Sequence, residues 1–145
     1  MGFSLTGDGG IAENGIQVEG YTALMREDLV IKGGRISGFY AGLYCEYMNN
    51  SRIEQMVVSD NTDDGVYLYG PNGQCNGNTI TDCTISENGD KGVYLYGYGG
   101  QCNGNTIADC TISDNFDGVY LRGRDGQCVP GGSGASQVDQ PGIGQ

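Results

Sequence analysis

The chain has 145 residues, including 28 glycines, six cysteines and no histidine, and its formal net charge is −11. Because nucleic-acid binding needs clustered lysine and arginine, this acidic balance argues against a nucleic-acid partner. The lack of histidine argues against a zinc site of cysteine and histidine, and no apolar run approaches the ~20 residues that span a bilayer.

The first 30 residues predict an N-terminal coil with a partial cap. Gly15, Ile16 and Val18 fit a faint copy of the repeat described below, and residues 22–28 are compatible with one short helical turn. A clearer copy follows at residues 31–45. We therefore expect the regular coils to begin near residue 31.

Residues 51–128 carry three copies of one repeat, with a period of 27 residues and one residue deleted in the last copy. The two best copies read Asn-Thr-Ile-x-Asp-Cys-Thr-Ile-Ser-x-Asn and continue with Gly-Val-Tyr-Leu. Equivalent residues include Ile53, Ile80 and Ile107, then Val66, Val93 and Val119, then Leu68, Leu95 and Leu121. One such unit cannot bury its apolar face alone, whereas stacked units bury a continuous core.

Within a copy, Val93 and Leu95 are expected to face inward, and Tyr94 and Tyr96 outward. Such period-two patterns between Gly, Asn and Asp turns indicate short strands rather than helices. On this repeat the chain resembles the right-handed parallel β-helix family, the solenoid of pectate lyases and many surface proteins. The resemblance implies an all-β, right-handed parallel β-helix (β-solenoid) of about five coils, with about 22–27 residues per coil.

This fold predicts three segments. Residues 1–30 form an N-terminal coil and partial cap, residues 31–128 form the β-helix coils, and residues 129–145 form a flexible tail rich in Gly, Ser and Gln. No amphipathic capping helix is evident in the tail. The C-terminal end of the solenoid is therefore expected to expose unpaired strands.

The resemblance also implies an inward ladder of asparagines at one turn. Asn61, Asn88 and Asn115 occupy equivalent positions in successive copies. Each side-chain amide is expected to bond the next. Such a ladder satisfies backbone groups that a buried turn would otherwise leave unpaired.

Acidic residues recur beside the same turn and form a candidate metal site. The candidate ligands are Asp63, Asp64, Glu87, Asp90, Asp114 and Asp117. Stacked like charges repel, so a bridging Ca²⁺ ion is one interpretation. The favoured alternative is a solvated acidic edge that opposes misassembly. No other cofactor is expected.

Outward tyrosines define a candidate assembly face. Tyr67, Tyr94 and Tyr120 form one predicted column, and Tyr69, Tyr96 and Arg122 form a second. An aromatic face can pack against another protein or bind sugar rings, and it can also reflect plain stacking between strands. Packing or plain stacking is favoured over a carbohydrate groove.

The even number and regular spacing of the cysteines favour disulfides in an oxidising compartment, and hence an extracellular location. The hypothesis is two equivalent bridges, Cys75–Cys83 and Cys102–Cys110, each joining cysteines eight residues apart. This pairing leaves Cys45, a candidate buried thiol, and Cys128. Either of these two is a candidate for an intermolecular bridge.

Catalysis is not expected. The lyases and epimerases that the fold resembles act on acidic polysaccharides and need a basic proton acceptor beside bound cations. The few lysines and arginines of this chain form no column with aspartates.

An extracellular structural role is expected instead. Open solenoid ends, spare cysteines and an aromatic face favour assembly of the chain with itself. The composition is similar to that of the proteinaceous sheaths of filamentous methanogenic archaea, which implies a disulfide-reinforced, amyloid-like cell sheath or coat. The alternative is a β-helix that binds or processes carbohydrate, or a fragment of a phage or surface adhesin.

Overall fold

The described part of the chain consists of strands, turns and bends. The computed structural model describes residues 2–10, 13–21, 24–71, 75–98, 102–124 and 137–138. None of these residues is helical, so the helical turn expected over 22–28 is wrong for its described part, where Arg26–Glu27 is a strand. The described residues also contain no helix that is long and apolar enough to cross a membrane.

Short strands follow one another through these residues and are separated by corners rich in Gly, Asn and Asp. They are β1 (Phe3–Thr6), β2 (Ile16–Val18), β3 (Arg26–Glu27), β4 (Val30–Lys32), β5 (Gly34–Ser37), β6 (Leu43–Glu46), β7 (Met48–Asn49), β8 (Arg52–Glu54), β9 (Val57–Ser59), β10 (Val66–Pro71), β11 (Thr79–Thr81), β12 (Thr84–Ser86), β13 (Lys91–Tyr98), β14 (Thr106–Ala108), β15 (Thr111–Ser113), β16 (Asp117–Arg124) and β17 (Gln137–Val138).

These strands stack into three main parallel sheets. The first sheet has the order β1-β5-β9-β12-β15-β17, the second β2-β6-β10-β13-β16, and the third β4-β8-β11-β14, while β3 pairs with β7. Consecutive strands belong to different sheets, so the chain visits each face once per turn. The chain makes about four turns between β1 and β15 and continues into a fifth coil, as expected for a β-solenoid.

The 27-residue period appears directly as strand register. Ile80 of β11 pairs in parallel with Ile53 of β8 on one side and with Ile107 of β14 on the other. Val93 of β13 pairs likewise with Val66 and Val119. Equivalent residues of successive copies therefore lie directly over one another, which confirms the predicted parallel β-helix.

The core is a set of apolar columns along the solenoid axis. Val93 and Leu95 are buried, whereas Tyr94 and Tyr96 of the same strand are half-buried on the outer face. The side chains with at most 1% exposure include Ile36, Leu43, Cys45, Met48, Ile53, Met56, Val58, Val66, Leu68, Ile80, Ile85 and Ile112. The predicted alternation therefore places the apolar residues inside.

Three corners of successive coils place a residue in the left-handed region, and acidic residues recur at two of them. At one corner Gln55, Asp82 and Asp109 have φ of 53°, 53° and 52°. At the next corner Asp60, Glu87 and Asp114 have φ of 57°, 56° and 55°. Aspartate adopts this conformation more easily than most residues, so the recurrence of acids at these corners has a backbone reason.

Candidate functional site

The outer face of the second sheet carries two adjacent columns of polar and aromatic side chains, which we call the tyrosine face. In the first column, parallel pairing aligns Gln17, Tyr44, Tyr67, Tyr94 and Tyr120. In the second column, it aligns Glu46, Tyr69, Tyr96 and Arg122. The structure therefore brings together the residues of both predicted columns and adds Gln17, Tyr44 and Glu46 to them.

Four rings at the centre of this face form a stacked block. The ring centroids of Tyr67 and Tyr94 are 4.7 Å apart with an interplanar angle of 6°, and those of Tyr69 and Tyr96 are 5.3 Å apart at 19°. Within each strand the two rings are also nearly parallel, at 26° and 6°. Offset stacking of this kind stabilises an aromatic pair by more than the burial of its apolar surface alone.

The ends of the block are covered as well. Tyr44 contacts Tyr67 edge-on at 5.2 Å, and Tyr120 contacts Tyr94 edge-on at 5.4 Å. The Arg122 guanidinium carbon lies 5.2 Å from the centroid of Tyr96. Neighbouring side chains thus cover the ring faces in the centre of the block, which leaves little open ring surface for a sugar to stack on.

Burial keeps two hydroxyl groups of this face, those of Tyr67 and Tyr44, protonated. Burial raises the pKa of Tyr67 well above its ordinary value, and it does the same for Tyr44, whose hydroxyl donates to Glu46 Oε1 at 2.5 Å. The hydroxyl groups of Tyr67 and Tyr44 consequently stay neutral over the physiological pH range.

Part of the predicted acidic site does assemble beside this face. Carboxylate oxygens of Asp63, Asp64 and Asp90 lie within 4.8 Å of one another. Asp64 is buried, and its Oδ1 accepts the backbone N–H of Lys91 at 3.0 Å. The Lys91 ammonium binds Asp90 Oδ2 and lies 4.9 Å from the ring centroid of Tyr94.

This donor set fits Ca²⁺ poorly, because the Lys91 ammonium already supplies a positive charge that a divalent ion would have to displace. The other predicted ligands do not join the group. Glu87 and Asp114 lie at left-handed corners. Asp117 lies on the edge strand β16, where its backbone is in register with that of Lys91 on β13. The observed cluster therefore consists of three carboxylates, one of which, that of Asp90, forms an ion pair with Lys91.

Asn61, Asn88 and Asn115 form a buried ladder. Asn61 Nδ2 donates to Asn88 Oδ1 at 2.8 Å, and Asn88 Nδ2 donates to Asn115 Oδ1 at 2.9 Å. The same oxygens accept backbone N–H groups from the neighbouring coil. The ladder therefore satisfies the backbone at a buried corner.

Two further ladders were missed from the sequence. In one, Asn105 Oδ1 accepts the N–H of Asn78, whose own Oδ1 accepts the N–H of Ser51, at 2.9 and 3.0 Å. In the other, backbone N–H groups donate at 2.7 Å to the side chains of Asn49 and Asn76. The repeated Asn-Gly-Asn tripeptide at 76–78 and 103–105 is the signal that could have revealed both ladders.

The predicted disulfides Cys75–Cys83 and Cys102–Cys110 are not formed, because Cys75, Cys83 and Cys110 are free thiols. Asn78 Nδ2 donates to Cys75 Sγ at 3.6 Å, while the Cys83 thiol contacts the carbonyl of Thr81 at 3.2 Å. Each type of cysteine thus keeps to its own column and has its own contacts.

Cys45 has no exposed surface, which opposes the intermolecular bridge considered for it. Burial raises the pKa of its thiol to about 12, so the reactive thiolate is rare at neutral pH. Cys128, the other candidate, lies outside the described residues.

Comparison with known proteins gives one match. A family model described as a right-handed beta helix region matches residues 6–132. No curated protein and no solved structure matches the chain. The match covers the strands from β2 to β16 and concerns their fold, which does not by itself define an activity.

Proposed function

We propose that this chain, which belongs to the right-handed β-helix family, is a structural protein whose solenoids assemble with copies of themselves into a sheath or surface coat. The observation that carries this proposal is the open edge of the second sheet. Among the residues that the structure describes, the eight-residue strand β16 pairs only with β13, and β2 at the opposite end pairs only with β6. An unpaired strand edge is a template for another chain.

The tyrosine face supports this proposal over carbohydrate binding. Sugar recognition by aromatic residues uses open ring faces, whereas the central rings stack on one another and on Arg122. A stacked aromatic surface suits lateral packing between solenoids.

The proposal includes no catalytic activity. Lys91 is paired with Asp90, and Arg122 lies over Tyr96, so neither is placed as a free proton acceptor. Nor does the proposal depend on disulfides. The described cysteines are free thiols, and the buried amide ladders and the aromatic stacks join successive coils without them.

Electron microscopy and sedimentation of the purified chain over a range of concentrations test the proposal. We expect filaments or sheets that grow with protein concentration and persist in a reducing agent. A protein that stays monomeric at every concentration and binds polyuronates would support the carbohydrate-binding alternative instead.

A further inference from the structure

The two ends of the second sheet match each other in register. Pairing of successive strands links Ile16 to Leu43, Val66, Val93 and finally Val119. The same register links Val18 at one end to Leu121 at the other, and Gln17 to Tyr120. Among the described strands, the two ends of the second sheet therefore present the first and last members of the same columns.

The terminal apolar members of these columns lack the burial of the central ones. Val66, Val93, Leu68 and Leu95 are at most 1% exposed, whereas Ile16, Val18, Val119 and Leu121 are only partly buried. A strand added beyond either end would cover the latter set. Burial of apolar surface gives such an addition a driving force.

The charges at the two ends are complementary. Arg122 ends the second column of the tyrosine face on β16, and it is exposed. At the other end the column reaches Glu46, and the exposed Glu19, the next residue after Val18, continues the register beyond it. A second solenoid stacked in register would thus set Glu19 against Arg122.

We propose, on the basis of the assembly proposed above, that a second copy adds head to tail: its β2 pairs in parallel with β16 of the first copy, and Glu19 meets Arg122. The strands would be about 4.8 Å apart, as within one solenoid. Gln17 would continue the column of Tyr120, with its side-chain amide beside the tyrosine ring.

The same stacking gives β17 a role. In the first sheet β17 pairs with β15 through two residues, Gln137 with Thr111 and Val138 with Ile112. The β1 strand of an added copy would occupy this position, since Leu5 belongs to the column of Ile36, Val58, Ile85 and Ile112. The two-residue β17 and the four-residue β1 therefore compete for one edge, and β17 acts as a displaceable end cap.

Charge exchange in the full-length chain tests the register. Arg122→Glu and Glu19→Arg each place like charges at the contact, so each is expected to raise the concentration needed for assembly roughly fivefold or more. The double variant restores opposite charges and should assemble close to the wild-type concentration. Arg35→Glu, an exposed reversal on the interior strand β5, is the matched control and should have little effect.

The outcomes separate the contact from the function. Wild-type assembly that is unaffected by both single reversals, or a double variant that is as impaired as the singles, would overturn the head-to-tail register and leave the structural function standing. A wild-type chain that never assembles would overturn the function itself. Circular dichroism of each variant establishes that its β-structure is intact.

A second variant tests the end cap. Gln137→Pro combined with Val138→Pro removes both backbone N–H donors of β17. We expect this chain to assemble at a lower concentration and with a shorter lag than the wild type. Unchanged or slower assembly would overturn the competition between β17 and an added β1.

Discussion

The backbone N–H of Lys91 donates to the Asp64 carboxylate in the preceding coil, at 3.0 Å. Asp64 is 3% exposed, and burial, the largest influence, raises its carboxyl pKa to about 7 from 3.8. The folded protein therefore binds more protons than the unfolded chain between these values. The contribution of Asp64 to the free energy of unfolding is complete below about pH 4 and is lost as the pH rises to about 7.

Asp64→Asn is expected to remove this pH dependence. The amide oxygen of asparagine still accepts the Lys91 N–H, but no charge has to be buried, so the variant should be more stable than the wild type at pH 8 by roughly 3 kcal/mol. At pH 4 the two proteins should differ little. Urea unfolding at both pH values measures the difference, with Asp82→Asn, at an exposed left-handed corner outside the carboxylate cluster, as the control. A variant that loses stability at pH 8 would show that the ionised carboxylate is needed.

Removal of divalent cations is expected to leave the melting temperature unchanged. The Lys91 ammonium binds Asp90 within the carboxylate cluster and supplies the charge that Ca²⁺ would otherwise bring. Thermal unfolding with excess EDTA, compared with excess CaCl₂, is the measurement. A melting temperature several degrees lower in EDTA would restore the calcium interpretation.

Asn88→Ala should be strongly destabilising. Asn88 lies at the middle of the buried ladder, where its side chain donates to Asn115 and accepts from Asn61. Loss of the side chain leaves buried partners unsatisfied, which is expected to cost about 2–4 kcal/mol. Thr84→Ala, at an exposed position of the neighbouring strand β12, should cost less than about 0.5 kcal/mol. Equal losses from the two changes in chemical denaturation would contradict a structural role for the ladder.

Cys45 should resist alkylation in the native protein. Full burial and a thiol pKa of about 12 leave it neither accessible nor ionised at pH 8. Mass spectrometry after brief N-ethylmaleimide treatment should find Cys45 unlabelled in the native protein and labelled in urea. Recovery of Cys45 in a cross-linked dimer without denaturation would contradict this prediction.

The repeat predicted the fold well because equivalent residues of successive copies are direct neighbours. Ile53, Ile80 and Ile107 are 27 residues apart in sequence and adjacent in the third sheet, so the period alone defines the register. The alternation around Val93 likewise predicted which side chains enter the core. Both features depend on the burial of apolar side chains, and burial produces a regular pattern of apolar residues in the sequence.

The site was harder to predict because its chemistry depends on corner geometry. Glu87 is acidic like Asp90, but its backbone occupies a left-handed corner while Asp90 meets Lys91. Similarly, Cys75 and Cys83 are close in sequence, but a corner directs them to different columns. Sequence spacing alone does not report the turn of the chain between two such residues.

Because the copies stack in register, the length of the solenoid can change by whole repeat units. Residues 78–104 form one complete unit whose two neighbours are near copies of itself, so a tandem duplication of this segment would create only contacts that the protein already contains. Each added unit would extend the rod by about 4.8 Å without a new packing problem. Duplication of a short stretch of the gene, in evolution or by design, could therefore lengthen the solenoid one coil at a time.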